Sequence, residues 1–543
     1  MISHSLWRDG ISPYSFKISS GGIEKSSFKN DDSMNFSRKF FGISFITSFS
    51  RLFGLVRDVV MFATFGTSLF GAAFLFAFTL PNLFRRLLGE GALTSALIPI
   101  FSQEYHQKDR EAAFQLFNQV LSWAILLLVG LVVAGMLLLW ALSGISGLEE
   151  RWSLGFRLAI ILMPFMFFIC LTALFSAILN VLGCFFLAAA PAIGLNVAMI
   201  ASLVMANCCG FEPAVKVYCL SGGVLLGGII PMVTLVMQLR RQCWHWRLDL
   251  GPSSALKEVR RLFLPGLGGA AITQCNVAIS RMLAFSLQTN AISLLYMANR
   301  LIELPLGIFI IAITTLFFPR MARSFAVRND AEFVQQCERG VLSVLVISIP
   351  SAMGLYVLAK PILLTLFSWG QFRAVDVASA LPILRIFSLA LPFYALSTFL
   401  TRVYHARKNT RLPVKASLCA FGVNLSLTLW WMHAFGVQGI AWANTLAVVF
   451  QTFYLQQRLS SLGMEFSLRV LGRPMVGIMI ATAIMGATLW VASGCRFCFQ
   501  NASRAQHMGL LVWFILMGVG LYLSILAILR GYAMFPFFKW CRK

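Results

Sequence analysis

The sequence predicts an all-α polytopic membrane protein, and three observations carry that prediction. Hydrophobic residues make up 59% of the 543, charged residues only 12%, and mean hydropathy is +0.80. A soluble domain carries about 25% charged residues. The apolar residues form long continuous runs instead of alternating, which argues against a transmembrane β-barrel. The net charge of +24 is not gathered on one soluble face, as nucleic-acid binding would require. It sits mostly in short loops between apolar runs, where positive charge sets topology.

In chain order, residues 1–36 are polar, rich in Ser, Gly and Lys, and lack the apolar stretch of a signal peptide. They read as a disordered cytoplasmic tail. Met34 precedes the basic segment NFSRKF, a layout that suits a start codon there. About fourteen hydrophobic spans follow, near 38–62, 69–102, 114–143, 156–185, 189–209, 215–239, 259–288, 291–319, 336–358, 376–402, 413–434, 437–457, 472–493 and 508–531. The second contains Pro81 and Gly89, which predicts a bent or broken helix.

Loop charge orients these spans. One set of loops holds Lys108, Arg110, Arg240, Arg241, Arg320, Arg323, Arg407, Lys408 and Arg458, among others. The opposite set holds only Arg151, Arg157, Lys216, Lys360, Arg373, Arg496 and Arg504. The positive-inside rule then places both termini in the cytoplasm.

Charges inside the spans are the functional signal. An arginine at the bilayer centre costs roughly 2.5–3.5 kcal/mol. Yet Arg51, Arg57, Arg85, Arg86, Arg281, Arg300 and Arg385 all lie in spans, with Asp58, Glu90 and Glu303 nearby. Such groups are expected to face a water-filled cavity or an anionic partner. Arg281 and Arg385 are read equally well as snorkelling to an interface. Arg300 and Glu303 share a helix face, so an internal ion pair holding two helices together is the blander alternative. Asp58 follows Arg57 directly and is expected to point elsewhere on the helix, so it is no automatic neutraliser.

A weak internal repeat organises these residues. Asn82 to Arg86 with Glu90 resembles Asn299–Arg300 with Glu303, and Asn196 resembles Asn424. The separation is roughly 220 residues, which suggests two six-span halves related by an axis along the membrane normal. The expected organisation is a tail at 1–36, an N-lobe at 37–250, a C-lobe at 251–460, and two further spans with the C-terminus at 461–543. Arg51, Arg57, Arg85 and Arg300 would then meet in a central cavity between the lobes. Guanidinium forks suit phosphate and pyrophosphate.

No loop is long enough for a catalytic domain, and P-loop, HExxH and GxSxG motifs are absent. The chain is therefore expected not to be an enzyme and to need no cofactor. Cys495 and Cys498 form the lone CxxC, without further ligands at metal spacing, so no metal site is expected.

Several stretches resemble the MurJ (MviN) family of bacterial lipid II flippases: SRLFGLVRD, LPNLFRRLLGEGALTSALIPIF, NRLIELPLGIFIIAITTLFFP and the P-V-K beginning at Pro413. The resemblance runs from about residue 38 to 535. It implies a fold of the multidrug/oligosaccharidyl-lipid/polysaccharide transporter superfamily, with two six-helix lobes around a cavity and two extra helices lining a groove for a lipid tail. It implies alternating access that moves lipid II, an undecaprenyl-pyrophosphate-linked peptidoglycan precursor, from the cytoplasmic to the periplasmic leaflet of the inner membrane. The family's cavity arginines match Arg51, Arg57, Arg85 and Arg300; Glu90 matches its glutamate, and Asp58, Arg86 and Glu303 support the cavity. Coupling to membrane potential or a cation gradient is expected, as are cell-wall synthesis proteins as partners. Ala72 stands where some members carry an aspartate, and Arg281 has no counterpart. The alternatives are an exporter of drugs or of other polyprenyl-linked glycans, and a non-transporting partner in cell-envelope assembly.

Overall fold

The computed structural model describes residues 49–287, 290–460, 468–494 and 504–530, and among them every regular element is helical. The predicted tail, Met34 and the Cys495–Cys498 pair lie outside the described residues. Helix α1 covers 49–65, and α2 (Leu69–Phe84) passes into a π-helical segment at Arg85–Ala92 before α3 (Leu93–Gln107). Then come α4 (Arg110–Ser143), α5 (Glu150–Val181), the short α6 (Phe185–Ala189), α7 (Pro191–Cys208) and α8 (Pro213–Arg241). Helix α9 (Ser254–Leu287) is followed by α10 (Ala291–Pro305), a second π segment (Leu306–Ile310) and α11 (Ile311–Ala326). Next are α12 (Asp330–Val357), the short α13 (Ala359–Phe367) and α14 (Ala374–Ala406). Helix α15 (Arg411–Ser460) is two helices meeting at Gly436, before α16 (Leu468–Gly494) and α17 (Arg504–Arg530).

Ten stretches among the described residues are long and apolar enough to cross a membrane, one of them the pair meeting at Gly436. Helix α1, the α2–α3 run and α9, which carry Arg51, Arg57, Arg85, Arg86 and Arg281, are not among the ten. The short helices α6 and α13 fall where the hydropathy pattern predicted span ends or a loop. The expected interruption at Pro81–Gly89 takes the form of a π segment. Proline removes a backbone donor and crowds the preceding turn, and π-bulges inside helices gather at functional sites. The same device recurs after Pro305.

In the first half, α2, α4 and α8 pack on α5, and α7 on α8; in the second, α12 and α15 pack on α14, and α16 lies against α12 and α17. Ala72 is fully buried in the α2 core. The far end of α1 meets the α13–α14 connection. Gln371 N–H donates to the Ala63 carbonyl at 2.9 Å, and Thr67 Oγ1 to Asp376 Oδ1 at 2.5 Å. Asp376 Oδ2 meanwhile accepts the Arg373 N–H at 2.8 Å, capping α14. Phe62 stands edge-on to Phe367 and Phe372, with centroids 5.5 and 5.8 Å away, sealing this end with aromatic bodies.

This seam requires two glycines. Gly66 and Gly370 have φ of 58° and 54°. A Cβ on Gly66 would lie 2.6 Å from the Gln371 carbonyl oxygen, and one on Gly370 would overlap the Ala63 carbonyl. The left-handed conformation alone costs a side chain about 1–2 kcal/mol. Gly66→Ala is expected to lower the thermal unfolding midpoint of the purified protein in detergent. An unchanged midpoint would show that the seam tolerates a methyl group.

Candidate functional site

A cavity of about 880 Å³ lies where α1, α2 and the first π segment face α9, α10 and the second π segment. Its walls include Arg51, Arg57, Arg85, Arg86, Arg281 and Arg300, with Glu303, Tyr296 and Asn196. The four arginines assigned from sequence thus line one space. The backbone at Glu90 lies in the first π segment, but its side chain lies outside the described residues.

At the centre is Asp58, fully buried. Its Oδ1 lies 2.6 Å from Arg57 Nη2 and accepts Arg57 Nε at 3.0 Å; its Oδ2 lies 2.8 Å from Arg300 Nε. One carboxylate therefore joins an arginine of its own helix to an arginine of α10. This corrects the expectation that Asp58 would point away from Arg57. Neighbouring Cβ atoms do diverge on a helix, but the arginine side chain is long enough to fold back onto its neighbour.

Other partners fix the two guanidinium groups. Arg57 Nη1 donates to Asn196 Oδ1 at 3.1 Å, and Nη2 to the Tyr296 hydroxyl at 3.0 Å. That hydroxyl donates in turn to Asp58 Oδ1 at 3.1 Å. Arg300 Nη1 donates to Glu303 Oε2 at 3.2 Å along its own helix. Sequence reasoning did not select Tyr296, because it is uncharged; it sits four residues before Arg300, on the same helix face.

Arg51 differs in its surroundings. Nη1 reaches the Glu303 carbonyl oxygen at 3.4 Å, and Nε is buried without a hydrogen-bond partner among the described residues. Its guanidinium lies against Gly307 in the second π segment, where a Cβ would overlap it; Gly54 on α1 makes the same room for Arg300. Arg85 Nε donates to Asn82 Oδ1 at 3.2 Å, three residues back. Arg281 and Arg385, equivalent by sequence, part company here. Arg281 lines the cavity, whereas Arg385 lies outside that lining, 5.4 Å over the Tyr356 ring. No group of His, Cys, Asp and Glu able to hold a metal ion occurs among the described residues.

The arrangement is a cavity lined by cations, two of which are held by internal carboxylates. It presents guanidinium groups from two distant stretches of the chain to one space.

Residues 61–502 match the model of the family described as lipid II flippase MurJ. A probable lipid II flippase MurJ of Bdellovibrio bacteriovorus is 32% identical over 493 residues, 88% of this chain and 92% of the relative. Another, from Vibrio cholerae, is 31% identical over 507 residues, 90% of this chain and 95% of the relative. A solved lipid II flippase MurJ in an inward closed conformation superposes with a TM-score of 0.74 at 24% identity, covering 90% of this chain and 98% of that one. An inward-facing multidrug resistance MATE transporter of the MOP superfamily gives 0.65 at 16% identity, covering 77% and 96%.

Asp58→Asn is expected to leave two arginines facing each other without their shared counter-charge. Breaking a buried ion pair from one side typically costs about 3–5 kcal/mol. The measurement is the unfolding midpoint of D58N beside D58N/R300Q. Partial recovery in the double variant is the expected sign of charge imbalance; additive losses would deny the coupling.

Proposed function

The chain belongs to the lipid II flippase MurJ family, and on that premise we propose that it moves lipid II across the bacterial inner membrane by alternating access, holding the pyrophosphate with cavity arginines. It is a multi-pass membrane protein and a transporter, not an enzyme. The observation that carries the proposal is the convergence of Arg51, Arg57, Arg85 and Arg300, from two distant stretches of sequence, on one cavity. Loop charge places the α1–α2 turn on the periplasmic side, with both termini cytoplasmic. The seam at Gly66 and Gly370 then closes the outer end, and the cavity receives substrate from the cytoplasmic leaflet.

Charge competition supplies the coupling. Asp58 and Glu303 hold Arg300 by ion pairs. A pyrophosphate offers Arg51, Arg85 and Arg300 a denser negative charge and a matching fork geometry. As it recruits Arg300, the Asp58 link between α1 and α10 loosens, and the lobes 37–250 and 251–460 become free to rock. A ligand shifts such an equilibrium only by its differential affinity for the two states, and the changed arginine partners supply that difference. The excess positive charge makes the cycle sensitive to membrane potential, at about 2.3 kcal/mol per charge per 100 mV if the charge crosses the whole field; a cation gradient would act on the same equilibrium. Helices α16 and α17 form the groove for the polyprenyl tail, and cell-wall synthesis proteins are the partners downstream.

The test is external exposure of lipid II in bacteria depleted of their own flippase, read by a precursor-cleaving enzyme added outside spheroplasts. Wild type is expected to restore cleavage. Arg300→Ala should insert normally, since Arg57 still satisfies Asp58, yet cut cleavage about tenfold or more. Full cleavage with well-expressed Arg300→Ala refutes the arginine assignment. Absence of cleavage with inserted wild type favours an exporter of another cargo.

A further inference from the structure

We propose that Arg281, with Arg86 lining the same cavity, forms a second anion subsite that takes a carboxylate of the substrate's peptide, while the pyrophosphate stays with Arg51, Arg85 and Arg300. The proposal rests on the flippase reading above and names a second point at which that site grips its substrate.

The two halves of the chain meet along two seams of the cavity. At the α1–α10 seam, Arg51 reaches the Glu303 carbonyl and Asp58 joins Arg300. At the α2–α9 seam, Arg281 Nη1 donates to Thr79 Oγ1 at 3.1 Å. Tyr296 stands between, its hydroxyl on Asp58 and its ring 5.6 Å beneath the Arg281 guanidinium. A cationic group therefore occupies each seam, and the second is oriented from two sides. Its other N–H groups make no hydrogen bond among the described residues, and neither Arg281 nor Arg86 forms an ion pair there.

That distinguishes Arg281 from the centre, where Asp58 and Glu303 hold Arg57 and Arg300. Charged side chains within a membrane protein are as a rule paired or functional, and Arg281 is presented to the cavity without a carboxylate. Its hydrogen bond to a neutral hydroxyl fixes direction without consuming charge. At about 880 Å³ the space is far larger than a pyrophosphate needs and lies in the range of sites that enclose whole organic ligands. The ligand chemistry supplies two kinds of anion: a pyrophosphate joined directly to the lipid, and carboxylates on the peptide beyond the sugars. With the pyrophosphate at the α1–α10 seam, a peptide carboxylate is the anion left for the α2–α9 seam, and one guanidinium fork matches it.

The test is equilibrium binding to the purified full-length protein in nanodiscs, with short-chain lipid II and the same molecule with its peptide carboxylates amidated. Wild type is expected to prefer the carboxylate form about tenfold, the strength of one charge-assisted contact. Arg281→Gln should abolish that preference while leaving the amidated form's affinity unchanged, and Arg281→Lys should keep part of it. Arg86→Gln, on the exposed cavity wall, should weaken the preference in the same direction and serves if the Arg281 variants fold poorly. Equal weakening of both ligands by Arg281→Gln overturns the subsite, as does a wild type without preference. If wild type binds neither form, the flippase reading fails and the subsite with it.

Discussion

A guanidinium group in a low-dielectric interior must be matched by opposite charge or by water, and that requirement shapes the centre of this protein. Asp58 answers it for two arginines at once: Arg57 on its own helix and Arg300 on α10. Because those helices belong to stretches more than two hundred residues apart, the ion pair is also a tether between them. Asn196 and Tyr296 then take up the remaining Arg57 donors. A buried ion pair is seldom a strong source of stability compared with apolar packing. Under the proposed function its value is that it can be exchanged: an anion entering the cavity would offer the same arginines an alternative partner.

Much of this was legible in the sequence, for identifiable reasons. Membrane segments are constrained by length and hydropathy, so the helical fold and the approximate span positions could be read directly. Intramembrane arginines stand out against an apolar background, and Arg51, Arg57, Arg85 and Arg300 do line one cavity. What escaped was set by reach and space. The Asp58–Arg57 contact depends on a side chain folding back, which helical periodicity does not describe. Tyr296 carries no charge, and Gly54 and Gly307 act by what they lack, leaving room for Arg300 and Arg51. Arg281 and Arg385 had identical signatures in the sequence; only their neighbours, Thr79 for one and the Tyr356 ring for the other, separate them.

The two asparagines that the sequence pattern paired can be compared by their polar contacts. Asn196 on α7 binds Arg57 of α1, while Asn424 on α15 donates to Asn276 and Ser280 of α9 at 2.7 and 3.0 Å. In each case an asparagine of a later helix grips the helix that opens its half. One of these links is charged and faces the cavity; the other is neutral. The ionic chemistry is thus concentrated on the first half and on α10, where it leans across.

The π segments show how that frame delivers charge without unravelling. A straight α-helix through Arg85–Ala92 would keep the ordinary one-hundred-degree spacing between successive side chains. Widening the helix there changes the spacing, with Arg85 and Arg86 both on the cavity wall. The equivalent segment after Pro305 does the converse, bringing bare backbone at Gly307 against the Arg51 guanidinium. One interruption supplies cations and the other receives one. Both lie where the halves face each other, so a change in helix register at either would reposition arginines against their carboxylate and carbonyl partners. The irregular backbone is therefore part of the cavity wall, with Pro81 and Pro305 just ahead of its two interruptions.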